Sequence, residues 1–172
     1  MTENAPTLEN LPSQPYVAVR AEVNPETFRG VVDSSFGRPF AWLGERGIEP
    51  GGAPFIRYMA LDDGGQPSLI EMGVPVADPV EPGDDLVAGE VPAGRYVTYT
   101  HVGPFQHAEL EDLSDAVGKV IAWARENDAE LAIRDAGDHT EMAGSFEFYL
   151  VDPSAEPDFT KWETRIALLT DD

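Results

Sequence analysis

One carboxylate in this sequence sits where a carboxylate is costly to desolvate. Glu147 lies inside Phe146-Glu147-Phe148-Tyr149-Leu150-Val151, a segment apolar enough to be a central strand. Strand alternation puts Phe146, Phe148 and Leu150 on one face, and Glu147, Tyr149 and Val151 on the other. If the second face is covered, desolvation raises the carboxyl pKa, and aromatic neighbours favour a flat or cationic ligand beside it. If that face is open, Glu147 is a solvated strand carboxylate. The segment alone is compatible with both. A second acid, Glu71, lies in Leu69-Ile70-Glu71-Met72-Gly73-Val74-Pro75-Val76. Pro75 suits an edge position or a strand end, so Glu71 reads as a solvated side chain. Trp42, Trp123 and Trp162, with Tyr58, Tyr96, Tyr99 and Tyr149, supply aromatic surface for a pocket. Trp123, one step off the main apolar stripe of its helix, reads as a core-boundary residue.

Other chemistries lack their residues. The chain has no cysteine, which removes disulfides, thiolate nucleophiles and Cys-ligated metals. His101, His107 and His139 show no paired spacing of the metal-binding kind, so no metal site is expected. No nucleophile elbow, phosphate-binding loop or dinucleotide fingerprint occurs, and no cofactor is expected. The run Glu109, Glu111, Asp112, Asp115 reads as the polar first turns of a helix, complementing its dipole.

The elements that would position Glu147 follow from periodicity. Tyr16 to Val23 is rich in strand formers and stops at Asn24-Pro25, a helix start. Phe28, Val31, Val32, Ser35 and Phe36 keep helical spacing; Gly37 and Pro39 interrupt the helix, which resumes through Phe40, Trp42 and Leu43. Phe55 to Leu61 and Leu69 to Val76 read as strands, and Ala77–Gly89 as a connector. Arg95 to Val102 is a strand ending at Gly103-Pro104. Leu110, Leu113, Val117, Val120, Ile121 and Ala124 then mark an amphipathic helix. Arg134–Gly144 reads as a loop before the Glu147 strand, and Trp162–Leu169 as the last strand. Residues 1–13 are polar and proline-bearing, and read as a flexible leader; residues 14–172 read as one domain.

The two parts of that domain, about 14–78 and 90–170, repeat one order: strand, helix, strand, strand. Tyr16 to Trp42 and Tyr96 to Trp123 are nearly equal intervals, and Asn24-Pro25 and Gly103-Pro104 punctuate the same junction. Phe55-Ile56-Arg57-Tyr58 echoes Phe146-Glu147-Phe148-Tyr149. The expectation is an α+β fold, an internal duplication whose pseudo-twofold-related halves enclose a central cleft. That alignment sets Glu147 against Ile56 and Tyr149 against Tyr58. Glu147 is then expected to be largely buried among aromatic rings, bordering the cleft.

A net charge of -21 from 32 acidic and 11 basic residues repels phosphate backbones and anionic bilayers. Nucleic acid and membrane are therefore excluded as direct partners, and cationic ligands or basic proteins are favoured. Residues 1–13 have no basic or apolar signal-peptide region and no run approaches a membrane span, so a cytoplasmic location is expected.

Taken together, these segments resemble the GyrI-like small-molecule-binding domain, the effector-binding part of bacterial multidrug-sensing transcription activators. The resemblance rests on Pro54-Phe55-Ile56-Arg57-Tyr58, Ile70 to Val76, Pro92 to Pro104 with its closing His-Val-Gly-Pro, Phe146 to Pro153, and Trp162 to Ile166. It runs from about Gln14 to Leu169. It implies two four-stranded halves around an aromatic-walled cleft with a glutamate at its base, and Glu147 is the matching position. It also implies, from stand-alone members, a possible hydrolase activity opening strained cyclopropane rings of alkylating natural products.

Three functions follow as expectations. The first is binding of aromatic, cationic small molecules, as a drug or toxin sensor or sequestering protein, with Glu147, Tyr149, Tyr58, Ile56, Trp162, Tyr96, Trp123 and Met72 lining the site. The second is a hydrolase in which Glu147 is the general base and Tyr149 or Trp162 orients the substrate. The third is an acidic protein-interaction role toward a basic partner such as gyrase. Either a monomer or a homodimer is compatible with the duplication.

Overall fold

A computed structural model describes residues 5–83, 85–105, 109–152 and 155–171; His107 and Pro153 therefore lie outside the described residues. The element order is β1 (Thr7–Leu11), β2 (Gln14–Glu22), α1 (Phe28–Ser35), α2 (Arg38–Glu45), β3 (Phe55–Asp62), β4 (Pro67–Pro75), β5 (Val87–Val91) and β6 (Gly94–Val102). It continues through α3 (Leu113–Glu126), β7 (Ile133–Asp135), β8 (His139–Met142), β9 (Ser145–Tyr149), a 3-10 turn (Phe159–Lys161) and β10 (Glu163–Leu169).

Local chemistry sets the helix starts. The Asn24 side chain accepts the amides of Glu26 and Thr27 at 2.9 and 3.0 Å, turning the chain from β2 toward α1. Pro39 occupies the first turn of α2, where its missing N–H costs no hydrogen bond. Asp112 and Asp115 cap α3 reciprocally, each side chain accepting the other's amide.

The strands form one antiparallel sheet in the order β1-β6-β10-β9-β3-β4-β2-β5, with β8 also on β3 and β7 beyond it. This mixed α/β sheet curls into a half-barrel. Its inner face closes on itself around Tyr16, Phe55, Tyr96 and Phe146, all at most 1 % exposed. The rings cross this face edge to face, Tyr16 on Phe55 at 4.9 Å and Phe55 on Phe146 at 5.4 Å. Gly73 makes that crossing possible, because a Cβ there would stand 2.6 Å from the Phe55 ring. The outer face carries the helices over two cores. One packs α1 and α2 onto Val19, Ile56, Ile70 and Met72; the other packs α3 onto Val97, Tyr99, Ile166 and Leu168.

Four sequence expectations are corrected. Residues 7–11 of the expected leader are β1, held to β6 along its length; Leu8 reaches the α3 core and Glu9 accepts from Thr98 at 2.8 Å and from Arg165. Part of the expected connector is β5, an edge strand on β2. The expected loop before β9 is the hairpin β7–β8, turning at Gly137 with φ 101°. The helix expected from Leu110 begins at Leu113 as α3, leaving Leu110 outside it and 45 % exposed.

Candidate functional site

Glu147 stands on the seam between the two outer-face cores. Its cross-strand neighbours are Ile56 on β3 and Ile166 on β10, one from each core. Met72 lies beyond Ile56 and Tyr99 beyond Ile166, so the row reads Met72, Ile56, Glu147, Ile166, Tyr99. Glu147 is 7 % exposed in an otherwise apolar floor.

Two phenols answer it. Tyr58 and Tyr149 donate to the same oxygen, Oε1, at 2.7 and 3.0 Å. Tyr149 reaches it because i and i+2 share a strand face; Tyr58 reaches it from β3 just before a register shift in the β3–β4 ladder. Oε2 makes no hydrogen bond to the described residues, so half of the carboxylate's acceptor capacity is unused. Burial pushes the Glu147 carboxyl up to about 6, against the opposing pull of the two hydroxyls. Burial, and then the neighbouring carboxylate charge, raises both phenols well above the ordinary tyrosine range, which keeps them protonated donors.

Aromatic rings surround the triad. Phe28 of α1 stacks on Tyr58 at 6.4 Å and 17°. Phe36, ending α1, and Phe105, after β6, meet Tyr149 edge-on at 5.8 and 5.5 Å. Phe105 also packs on Trp162 at 4.8 Å, and the Trp162 indole N–H donates to the Glu156 carbonyl at 2.8 Å. Each of these rings is half-buried, so each keeps a face that a ligand could cover.

Of the expected site residues, Glu147, Tyr149 and Tyr58 meet directly, and Trp162 joins through Phe105. Ile56 and Met72 form the floor, 4 % and 0 % exposed. Tyr96 is placed differently. It faces the inner core, 0 % exposed, its hydroxyl donating to the Pro92 carbonyl at 2.7 Å. Trp123 packs on α3 against the second core and has no described ring contact to the cluster. Glu71 is corrected from solvated to buried: at 1 % exposure it pairs with Arg20 at 2.7 Å and accepts from the Tyr16 hydroxyl on the inner side. Phe28, Phe36 and Phe105 were not anticipated at the site. Two surface concavities lie away from the cluster, one along the end of α3 at Ile121, Arg125 and Leu131, one beside Leu11, Gln14 and Phe148. Among the described residues no cluster of three metal-ligating side chains occurs, and no helix is long and apolar enough to cross a membrane.

The chain belongs to the GyrI-like small molecule binding domain family, whose description matches residues 4–169. Its fold is similar to that of the EcmrR C-terminal domain, with a TM-score of 0.74 at 16% identity, covering 99% of both chains. It is also similar to a hydrolase from Listeria innocua, with a TM-score of 0.59 at 14% identity, covering 99% of this chain and 94% of that one. SAV2435, solved bound to tetraphenylphosphonium, has a TM-score of 0.54 at 12% identity over 96% of this chain and 93% of its own. No curated protein sequence matches the chain.

Proposed function

We propose that this domain binds aromatic, cationic small molecules against Glu147, serving as a sensor or sequestering protein for drugs or toxins. The observation that carries the reading is a buried carboxylate with one oxygen fixed by two phenols and the other uncommitted, inside a ring of half-buried aromatics. Aromatic faces and a low-dielectric carboxylate both favour a large organic cation over a small hydrated one. The bound tetraphenylphosphonium of SAV2435, a protein of the same fold, supports this ligand chemistry. Phe36 and Phe105 pack edge-on against Tyr149, and side-chain rearrangement of such rings is common on binding.

The strand order supports the same picture. It reads alike from either edge when β2, β3, β4 and β5 are matched with β6, β9, β10 and β1. We read this as an internal duplication whose axis passes between β3 and β9, beside the Ile56–Glu147 pair.

The test is a titration of the protein with tetraphenylphosphonium and its isosteric anion tetraphenylborate. The cation is expected to bind and raise the melting temperature, and the anion to do neither. Equal binding of both, or of neither, would rule the reading out.

A second reading is favoured by the carboxyl pKa of about 6, which suits a general base near neutral pH. Glu147 would take a proton from a water attacking a strained, electrophilic ring, with Tyr149 or Trp162 orienting the substrate. Turnover abolished in Glu147→Gln while binding of a neutral substrate persists would favour this hydrolase reading.

A further inference from the structure

We propose that His101 is a positioning residue for this site: it pins Phe105 as a wall of the aromatic cluster and so governs which ligand shapes are admitted. The inference rests on the ligand-binding reading above and adds to it a residue outside the cluster.

His101 is fully buried near the end of β6, opposite Thr164, which is itself opposite Tyr149. Its Nε2 lies 2.9 Å from the Pro104 carbonyl, immediately before Phe105. A carbonyl only accepts, so Nε2 carries the proton and donates. In the neutral ring Nδ1 is then a bare acceptor. Among the described residues neither Nδ1 nor the Thr164 hydroxyl across from it has a hydrogen-bond partner. The charged group facing Nδ1 is Glu111, 3.8 Å away, whose other oxygen is held by Lys119 at 2.8 Å. The imidazole is therefore poorly satisfied as a core residue, and its single hydrogen bond goes to the chain that carries Phe105.

That chain is held at three successive points. The Gly103 amide donates to the Trp162 carbonyl at 2.8 Å, Pro104 accepts from His101, and the Phe105 carbonyl accepts the Leu113 amide at 3.2 Å. Gly103 adopts φ 145°, a conformation few other residues take, and a Cβ there would lie 3.4 Å from the imidazole Cε1. The outer two pins are backbone to backbone. Only the middle one depends on a side chain. Phe105 in turn contacts both Tyr149 and Trp162, so a shift of Pro104 moves the ring packed on Tyr149, a donor to Glu147.

The test compares His101→Leu with His101→Gln, whose amide nitrogen still reaches the Pro104 carbonyl. Each is titrated with tetraphenylphosphonium and with the smaller benzyltrimethylammonium. In His101→Leu the larger cation is expected to bind roughly fivefold to tenfold more weakly, the equivalent of one aromatic contact, with little change for the smaller one. His101→Gln is expected to restore affinity to within about twofold of the wild type. Phe105→Ala should reproduce the His101→Leu pattern, and the double variant should be no worse than Phe105→Ala alone. If His101→Leu does not fold, His101→Asn, polar but too short to reach Pro104, replaces it. A folded His101→Leu with wild-type selectivity, or His101→Gln as weak as His101→Leu, overturns the proposal. The indole N–H resonance of Trp162, assigned with Trp162→Phe, gives a ligand-free readout. It should move in His101→Leu and not in His101→Gln. If the wild type binds neither cation, the ligand-binding reading fails, and this resonance still decides the role of His101.

Discussion

Glu147 is ionised near neutral pH in a place that opposes charge. Its carboxyl titrates at about 6 in the folded protein against an ordinary value of 4.5. A raised folded pKa contributes stability that is fully present below about 4.5 and lost as pH rises through about 6. Above that window, holding the carboxylate costs the fold about 2 kcal/mol. Glu147→Gln is therefore expected to be more stable than the wild type by up to that amount near neutral pH and above, and nearly equal to it in acid. Urea unfolding in both conditions checks this, and a less stable variant at alkaline pH would contradict it. Cation affinity should run the other way, rising as pH climbs through about 6 because only the carboxylate attracts the ligand; calorimetry across the window reads it. Tyr58 and Tyr149 both meet Glu147; strand alternation put Tyr149 on its face in the sequence, and the expected repeat set Tyr58 against Tyr149. Phe28, Phe36 and Phe105 were not legible in the sequence, because an aromatic at a helical or post-turn position looks the same whether it fills a core or faces a ligand.

At the scale of elements, the strands facing the site were readable and the edges were not. Central strands β3, β4, β6 and β9 are dense in apolar and β-branched residues, so their pattern is local. Thr7-Leu8-Glu9-Asn10-Leu11 has two apolar residues, and its strand character comes from β6, far away in sequence. The β7–β8 hairpin is likewise polar, its strands held by pairing on β3 rather than by their own composition. Glu71 was misread for a related reason: its partners Arg20 and Tyr16 are supplied by β2, which no local window shows. The corrected β1 makes a prediction. Deleting residues 1–11 removes Leu8 from the α3 core and Glu9 from Arg165 and Thr98. Stability should fall by on the order of 2 kcal/mol, measured as a lower urea midpoint, with cation affinity unchanged because no β1 side chain reaches Glu147. A variant as stable as the full chain would show β1 to be dispensable.

The whole molecule is one continuous sheet carrying a large negative charge. In the middle of the sheet order β3 pairs with β9, and β8 also pairs with β3, so a chain ending at residue 89 loses Glu147, the partner of Tyr58, and the edge of β3. Such a fragment is expected to be unfolded by circular dichroism; a cooperative melt from it would contradict the shared-core account. The net charge of -21 repels itself and draws cations from a distance. Added salt should therefore raise the melting temperature while weakening cation binding only in part, because screening removes the long-range field and spares the buried contact.

The claim that the buried carboxylate is the ligand's counter-ion is tested most directly by titrating wild type and Glu147→Gln with tetraphenylphosphonium at slightly alkaline pH and high salt. The substitution keeps the shape and an acceptor for Tyr58 and Tyr149, and replaces the charged second oxygen with a neutral amide nitrogen. Binding is predicted to weaken by roughly tenfold to a hundredfold, the scale of one desolvated charge contact. Equal affinity in the two proteins would contradict the account.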